Sequence, residues 1–230
     1  MTLAILLSPG RVAFAVAIAG LAAFLAVPAA AVSLEDALAL DRDGFHDEAV
    51  GAWKKIIASE PGKGLLLLAR LKLSSSYMKT AQLPESVAAA DAATTLAPAN
   101  YDAQFHLANA KSQMRDFPGG LAAYRKAIKI RPSEGLGYVG LALTQFASGD
   151  SKSALKTLED AKTVFKKKRN IQWYQDTRIM MQQINGFAKY PPNFADLWLE
   201  NNLRLVRETY EKTVFNIDAT LQAVNPSAKN

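Results

Sequence analysis

The sequence lacks cysteine and holds only two histidines among its 230 residues. Without cysteine the chain can form no disulfide, no thiolate metal site and no cysteine nucleophile. Neither His46 nor His106 belongs to an H-E-x-x-H or similar ligand spacing, and the sequence contains no G-x-S-x-G. The stretch "PGKG" at 61–64 lacks the upstream glycine and the following Ser or Thr of a phosphate-binding loop. We therefore predict no catalytic residue, no metal ligand and no cofactor, and expect that the chain is not an enzyme.

The sequence is also poor in glycine and in the Val-, Ile- and Thr-rich runs that typify β-strands. Only 13 glycines occur, whereas apolar residues make up 50% of the chain and alanine is frequent. This composition favours helices throughout. A chain of this length can form one or two domains with a proper core. We predict an all-α fold.

Positive charge is unevenly distributed along the chain, whose formal net charge is +6. Residues 166–230 hold 10 Lys and Arg against 6 Asp and Glu, so much of the excess lies near the C-terminus. We therefore expect no nucleic acid to bind across the middle of the chain. The run "KKKRN" at 166–170 fits a solvated helix end, where cations are stabilising. An anionic membrane surface or an acidic partner is the alternative explanation of this run.

The N-terminal segment is apolar and carries a single charge. Residues 12–32 are 21 consecutive uncharged positions, preceded by Arg11, with small residues following Pro28. This order is typical of a secretory signal, and we predict cleavage after Ala31. The alternative is a retained anchor, since about 20 apolar residues suffice to cross a bilayer. Residues 1–31 are thus predicted as a signal peptide or membrane anchor. In both cases we expect the rest of the chain beyond the membrane, in a periplasm or a thylakoid lumen.

Similar stretches recur along the middle of the chain. "VGAWKKIIASEP" ends at Pro61 and "LAAYRKAIKIRP" ends at Pro132, each with an aromatic residue eight places before the proline. Pro98 and Pro132 lie 34 residues apart, and small residues occupy Ala108 and Gly120 between them. Small residues let two helices approach closely, and a proline after the second helix marks the turn to the next unit.

A 34-residue period with small residues at two fixed positions resembles the tetratricopeptide repeat (TPR), a helix–turn–helix unit. We predict four units, at about 33–61, 64–98, 99–132 and 133–165, which form a TPR array over residues 32–165. The first unit has a short first helix, and the second carries about one extra helical turn. Degenerate outer units are typical of the caps of a repeat array.

The resemblance implies a solenoid whose inner face is lined by the first helix of each unit. The groove-facing positions that it implies in the third and fourth units are Asp102, Phe105, Asn109, Ser112, Gln113, Leu136, Val139, Leu143 and Phe146. Family members that clamp a C-terminal carboxylate use Lys and Arg beside Asn at these positions. Here Asn109 is present but Phe105 stands in place of the expected Lys, so we predict that the clamp is absent. The apolar groove of the fourth unit either binds a peptide or is covered by the chain's own following helix.

Residues 166–230 are predicted to form a helical extension. "IQWYQDTRIMMQQING" fits a capping helix over about 170–185 that packs on the fourth unit. A long amphipathic helix is predicted over about 194–224. Its apolar residues are Trp198, Leu199, Leu203, Val206, Tyr210, Val214, Ile217, Leu221 and Val224, which follow a spacing of four and three from Leu199 onwards. This narrow stripe fits a helix that lies against one partner helix, either on the array or on another protein, including a second copy of the chain.

These features favour a protein that acts by binding other proteins. The leading hypothesis is a non-catalytic scaffold, exported or membrane-anchored, that serves as an accessory or assembly subunit of a larger complex. Its partners would be subunits of a membrane complex, and the membrane itself through residues 12–32 if they are retained. An oligomer could form through the C-terminal helix. The alternative is a soluble periplasmic or lumenal module that binds peptides in its groove, as a chaperone does.

Overall fold

The computed structural model describes residues 32–189 and 191–222, and within them every regular element is a helix. The α-helices are α1 (Leu34–Asp43), α2 (His46–Ala58), α3 (Lys63–Lys79), α4 (Leu83–Leu96), α5 (Tyr101–Gln113), α6 (Phe117–Ile130), α7 (Gly135–Ala147), α8 (Ser151–Lys167), α9 (Ile171–Gly186), α10 (Pro192–Thr213) and α11 (Ile217–Gln222). A short 3-10 helix, Phe187–Lys189, follows α9. The predicted all-α fold is confirmed. The predicted signal or anchor at 1–31 lies outside the described residues.

Among the described helices, none combines the length and the apolar character needed to cross a bilayer.

Helices α1–α8 form four consecutive helix–turn–helix pairs, and the same backbone turn joins the two helices of each pair. The turn residues are Gly44, Ala81, Arg115 and Gly149, all with positive φ. In each pair, the residue that follows the turn residue donates its backbone N–H to the carbonyl oxygen five positions before it. The N···O distances are 2.8–2.9 Å. This bond satisfies a carbonyl that the end of the helix would leave without a partner. The last three turn residues lie 34 positions apart, so the repeat seen in the sequence is also a repeat of the backbone.

The lengths of the first helices follow the predicted irregularities of the array. Helix α1 has 10 residues, α3 has 17, and α5 and α7 have 13 each. The extra turn of α3 falls in the stretch that the sequence marks as longer. Because α3 is one turn longer than its neighbours, it offers an additional surface at one end, which the C-terminal part of the chain uses.

Within the array, small residues on one helix face larger side chains, including buried aromatic rings, on the helix packed against it. A Cβ atom on Gly120 would overlap the hydroxyl of Ser112, and one on Gly140 would overlap the ring of Tyr124. The rings of Trp53 and Tyr124 are fully buried. Helices can therefore approach closely where a residue is small, and the adjacent ring fills the remaining space.

The C-terminal extension begins with α9, whose bounds lie within one residue of the predicted capping helix. It packs on α8, where the ring of Trp173 stacks on that of Phe165 with centroids 5.7 Å apart. Met180 and Ile184 are buried on the same side. Helix α9 thus covers the apolar end of the fourth unit.

The prediction of one continuous helix over about 194–224 is wrong. Helix α10 begins at Pro192 and ends at Thr213, and the chain turns through 214–216 before the short α11. Asn216 begins α11, because its side-chain oxygen accepts a hydrogen bond from the backbone N–H of Ala219 at 2.9 Å. The turn folds α11 back onto α3, so the helix does not project beyond the array. Val224 lies outside the described residues.

Candidate protein-binding groove

The first helices of the second, third and fourth units, α3, α5 and α7, form one continuous inner surface, and the C-terminal extension covers it. Helix α5 contacts both α3 and α7, while α10 packs on α5 and α7 and α11 packs on α3. Of the alternatives left open by the sequence, the structure shows the groove covered by the chain's own helix. The two predicted partner-binding surfaces therefore lie against each other.

The centre of this contact is a stack of aromatic rings around Tyr210. Its ring lies 4.0 Å from that of Phe105 and 6.1 Å from that of Tyr101, centroid to centroid. The Tyr210 hydroxyl donates a hydrogen bond to the carboxylate of Asp102. Burial raises the pKa of Asp102, although this bond and the charge of Arg131 at 3.8 Å oppose the shift. A tyrosine in the apolar stripe thus satisfies a buried carboxylate on the groove floor.

A second aromatic cluster anchors the beginning of α10. Phe146 lies 5.4 Å from Trp198 and 4.9 Å from Phe187, centroid to centroid. The indole N–H of Trp198 donates to the side-chain oxygen of Gln183 at 2.7 Å. These contacts join α7, the end of α9 and α10, so the fourth unit and the extension share one apolar core.

Next to the central stack, Glu211 forms a half-buried ion pair with the second unit. Its carboxylate accepts a hydrogen bond from the Ser75 hydroxyl and lies 3.1 Å from the Lys79 ammonium. Burial alone would raise the pKa of Glu211. The Lys79 charge, the Ser75 hydrogen bond and the smaller contributions of His106 and Arg207 together outweigh it and hold this pKa below its usual value. The pair fixes the position of α10 relative to α3.

His106 is buried between the rings of Tyr210 and Phe215, at centroid distances of 5.7 and 5.9 Å. Neither ring nitrogen has a hydrogen-bond partner. Burial lowers the pKa of His106 to about 4, so the imidazole is neutral at pH 7 and acts as a packing element. Across residues 32–189 and 191–222, no group of three or more His, Asp or Glu side chains is placed to hold a metal ion.

The residues predicted for the groove are largely inaccessible. Those buried are Asp102, Phe105, Asn109, Ser112, Leu136, Val139 and Leu143, whereas Gln113 and Phe146 are half-buried. The Asn109 side chain donates to the carbonyl of Phe105 in its own helix at 3.0 Å. Partner binding by these side chains stays a prediction, and for the buried ones beneath α10, such as Phe105 and Asp102, it requires α10 to leave the groove.

The residues predicted for the C-terminal stripe divide at the helix break. Those buried in the groove are Trp198, Leu199, Leu203, Val206 and Tyr210, and those half-buried after it are Val214, Ile217 and Leu221. The stripe is therefore not an open docking surface in the folded chain.

The polar contacts that position α10 are not evident from the sequence. Glu211 and Arg207 flank the stripe, and their partners or neighbours come from the second unit, more than 100 residues earlier. One signal was present: the run Ser74–Ser76 places hydroxyls on a helix whose other buried residues are mainly apolar. Such a run suggests that something polar packs against α3, but it does not identify what.

Comparison with known proteins supports the fold. No protein-family model matches the chain, and no curated protein sequence matches it significantly. Among solved structures, a structure titled as a MamA protein is 18% identical over 78% of this chain and 92% of its own, with a TM-score of 0.54. MamA from Desulfovibrio magneticus RS-1 is 20% identical over 58% of this chain and 73% of its own, also at 0.54. The TPR2B domain of yeast Sti1, titled as a complex with an Hsp70 peptide, is 22% identical over 53% of this chain and 97% of its own, at 0.50. These likenesses and the repeated turn geometry show that the described part of the chain has a TPR-like helical solenoid fold.

Proposed function

We propose that this protein is a non-catalytic protein–protein interaction scaffold. It is exported or membrane-anchored through residues 1–31 and serves as an accessory or assembly subunit of a larger complex at a membrane. The apolar, singly charged N-terminal sequence supports the location, and the solenoid fold supports the binding role. The fold alone names no partner.

The observation that carries the proposal is the filled groove. A 22-residue helix occupies the inner surface through aromatic stacking and polar pairs, so the array and its extension pack as one compact unit. A compact framework with a closed groove is suited to holding partners on its outer faces.

The extension also exposes apolar side chains outwards. Ile171 and Ile179 on α9 are 70% and 50% exposed, and Leu197 and Leu205 on α10 are 58% and 42% exposed. Residues eight positions apart lie on the same side of a helix, so each helix presents an apolar pair to solvent. We assign partner docking to these pairs, since neither pair contributes to the groove contact.

The test is affinity purification of the tagged full-length protein from gently solubilised membranes, followed by mass spectrometry. We expect a set of co-purifying subunits in fixed ratio. The double variants Ile171→Glu/Ile179→Glu and Leu197→Glu/Leu205→Glu should retain the helical CD signal, and one of them should lose the partners. A clean soluble monomer with no co-purifying protein would overturn the proposal.

A second candidate function is peptide binding in the groove, favoured by the fact that the groove already accepts an amphipathic helix. Here α10 would be a resident helix that a partner helix replaces. A labelled peptide with the sequence of residues 192–213 should then bind to a Val206→Asp variant of the full chain, whose own α10 is destabilised, and bind weakly to the unmodified chain. If the peptide fails to bind to either form, this candidate is excluded.

A further inference from the structure

A cleft of about 510 Å³ lies beside α10, away from the centre of the groove. It is bounded by the end of α3 and the turn that follows, by the end of α5, and by one side of α10. Its apolar walls include Met78, Leu83 and Leu203. Four cationic side chains also line it, namely Lys79, Arg115, Arg204 and Arg207, against two acidic ones, Asp196 and Glu200.

Arg207 differs from the other cations of this cleft because it is buried and unpaired. It is only 6% exposed, and its Nε–H is fully buried with no hydrogen-bond partner. Within residues 32–189 and 191–222 it makes no ion pair within 4.0 Å. A buried N–H that lacks a hydrogen-bond partner is costly, and the longer-range attraction of Glu211 and Glu208 does not supply that bond.

The nearby carboxylates are committed to other cations. Glu208 pairs with Arg204 at 3.1 Å, and Glu211 pairs with Lys79 at 3.1 Å and with Ser75. Arg115 pairs with Asp196 at 2.9 Å at the exposed edge of the cleft. Glu200, the other acidic residue of the lining, is exposed to solvent. Glu211 and Glu208 act on Arg207 only at longer range, so no carboxylate of the described residues forms a direct ion pair with its buried guanidinium.

We propose that this cleft binds an acidic side chain of a partner protein, with the carboxylate paired to Arg207. A guanidinium offers parallel N–H donors that match the two oxygens of a carboxylate, and low accessibility strengthens such a bond. The apolar walls accommodate the aliphatic part of the same segment. The inference rests on the proposed function only in naming a protein as the source of the carboxylate.

This site meets the predicted groove only at its edge, where Ser112 and Gln113 at the end of α5 line it together with Leu199 and Leu203 of the stripe. Its buried charge, Arg207, belongs to the C-terminal extension and faces the cleft only because α10 is docked. A partner that binds here would consequently stabilise the closed form of the groove.

The site can be tested with the full chain and a small carboxylate. The sequence has five methionines, so a spectrum of 13C-methyl methionine is sparse. The Met78 methyl group reports on the cleft. Met180, a buried residue of α9, reports on the rest of the fold. The probes are N-acetyl-glutamate amide, its neutral glutamine counterpart, and inorganic phosphate.

We expect a saturable shift of Met78, without a shift of Met180, for the glutamate probe alone. Arg207→Gln should weaken binding of the glutamate probe by about tenfold or more. Arg204→Gln removes an equal charge that is already paired with Glu208, and it should weaken binding by less than about twofold. No saturable shift, an equal response to the glutamine probe, tighter binding of phosphate, or equal losses in the two variants would each overturn the proposal. If the glutamate probe binds but no protein co-purifies, the cleft assignment stands and the proposed scaffold function fails.

Discussion

At the scale of single residues, the groove is held by buried polar groups whose partners lie far away in the sequence. Asp102 on α5 takes its hydrogen bond from Tyr210, and Glu211 pairs with Lys79 and Ser75 on α3. A buried carboxylate that loses its partner costs more than the hydrogen bond itself contributes, because the charge stays desolvated. Conservative substitutions at these positions are therefore informative.

Tyr210→Phe should lower the free energy of unfolding by about 1–3 kcal/mol, because it leaves Asp102 with only the more distant Arg131. The measurement is urea unfolding followed by circular dichroism. Tyr138→Phe is the matched control, since the Tyr138 hydroxyl bonds to the Pro132 carbonyl at an exposed site. A loss of similar size in both variants would contradict the role given to the Asp102–Tyr210 pair.

His106 makes stability depend on pH. Its pKa is about 4 in the folded chain and 6.5 in an unfolded one, so between these values the unfolded chain binds more protons. The free energy of unfolding should therefore be undiminished by His106 above pH 6.5. It should fall by up to about 3 kcal/mol as the pH drops toward 4. Glu211 and the cations Lys72, Lys79 and Arg207 act on the ring from neighbouring helices.

The experiment compares urea midpoints at pH 4.5, 5.5 and 7 for the native chain and His106→Phe. The variant should show a flatter profile and, at pH 7, equal or higher stability, because both imidazole nitrogens lack partners. Glu211, whose pKa is held low, adds a further loss at more acidic pH in both proteins. His46→Gln controls for the only other histidine. An unchanged pH profile in His106→Phe would show that its titration does not govern acid stability.

At the scale of elements, the sequence predicts α1–α9 well because local signals agree with one another. The period and the small residues recur along the array, and a proline ends each of the first three units. Each of these signals follows from interactions within about 34 residues. The end of α10 was missed because the apolar spacing runs unbroken from Tyr210 through Val214 to Leu221. The chain turns there because Asn216 caps a new helix and α11 packs on α3, whereas no residue within α10 itself breaks the helix.

Gly64 is the residue of α3 that allows this return. A Cβ atom at Gly64 would lie 2.9 Å from the carbonyl carbon of Leu221, and this obstacle is backbone that cannot rotate away. Gly64→Ala should displace α11 and cost about 1–3 kcal/mol, seen as faster amide exchange in 217–222. Gly51→Ala, at an open position within α2, should instead stabilise the chain by about 0.5–1 kcal/mol. If the amides of residues 217–222 stay protected from exchange in both variants, the close approach of Gly64 to the Leu221 backbone is disproved.

At the scale of the whole molecule, α10 converts a stack of neighbouring pairs into a body with long-range contacts. In an ordinary solenoid each unit touches only the next, and stability is close to a sum over units. Here one helix contacts the third and fourth units, and Glu211 reaches the second. The side chains on each surface could be predicted, because the inner face follows from the repeat and the stripe from its spacing. The contact between the two surfaces could not be predicted. No local pattern encodes the pairs Asp102–Tyr210 and Ser75–Glu211, which lie 108 and 136 residues apart.

Val206→Asp should release α10 from the groove. Val206 is fully buried, so the introduced carboxylate loses its water without gaining a partner, at a cost of about 3 kcal/mol or more. Limited proteolysis should then cut within 192–213 while α1–α9 keep their helical signal. Leu205→Asp, one residue earlier on the solvent side, should leave the cleavage pattern unchanged. Complete unfolding of Val206→Asp would show that the array depends on α10 for its own stability.

The place of α10 near the end of the chain has a consequence for biosynthesis. The helix pairs of the array need only nearby residues and can fold as they are synthesised, whereas the groove closes only after residue 213 has been made. Contacts of such large sequence separation form late, since the loop between them must be closed first. The growing chain therefore passes through a period in which its units are stacked and its inner surface is open. A protein that is present during synthesis meets a binding surface that the finished chain buries.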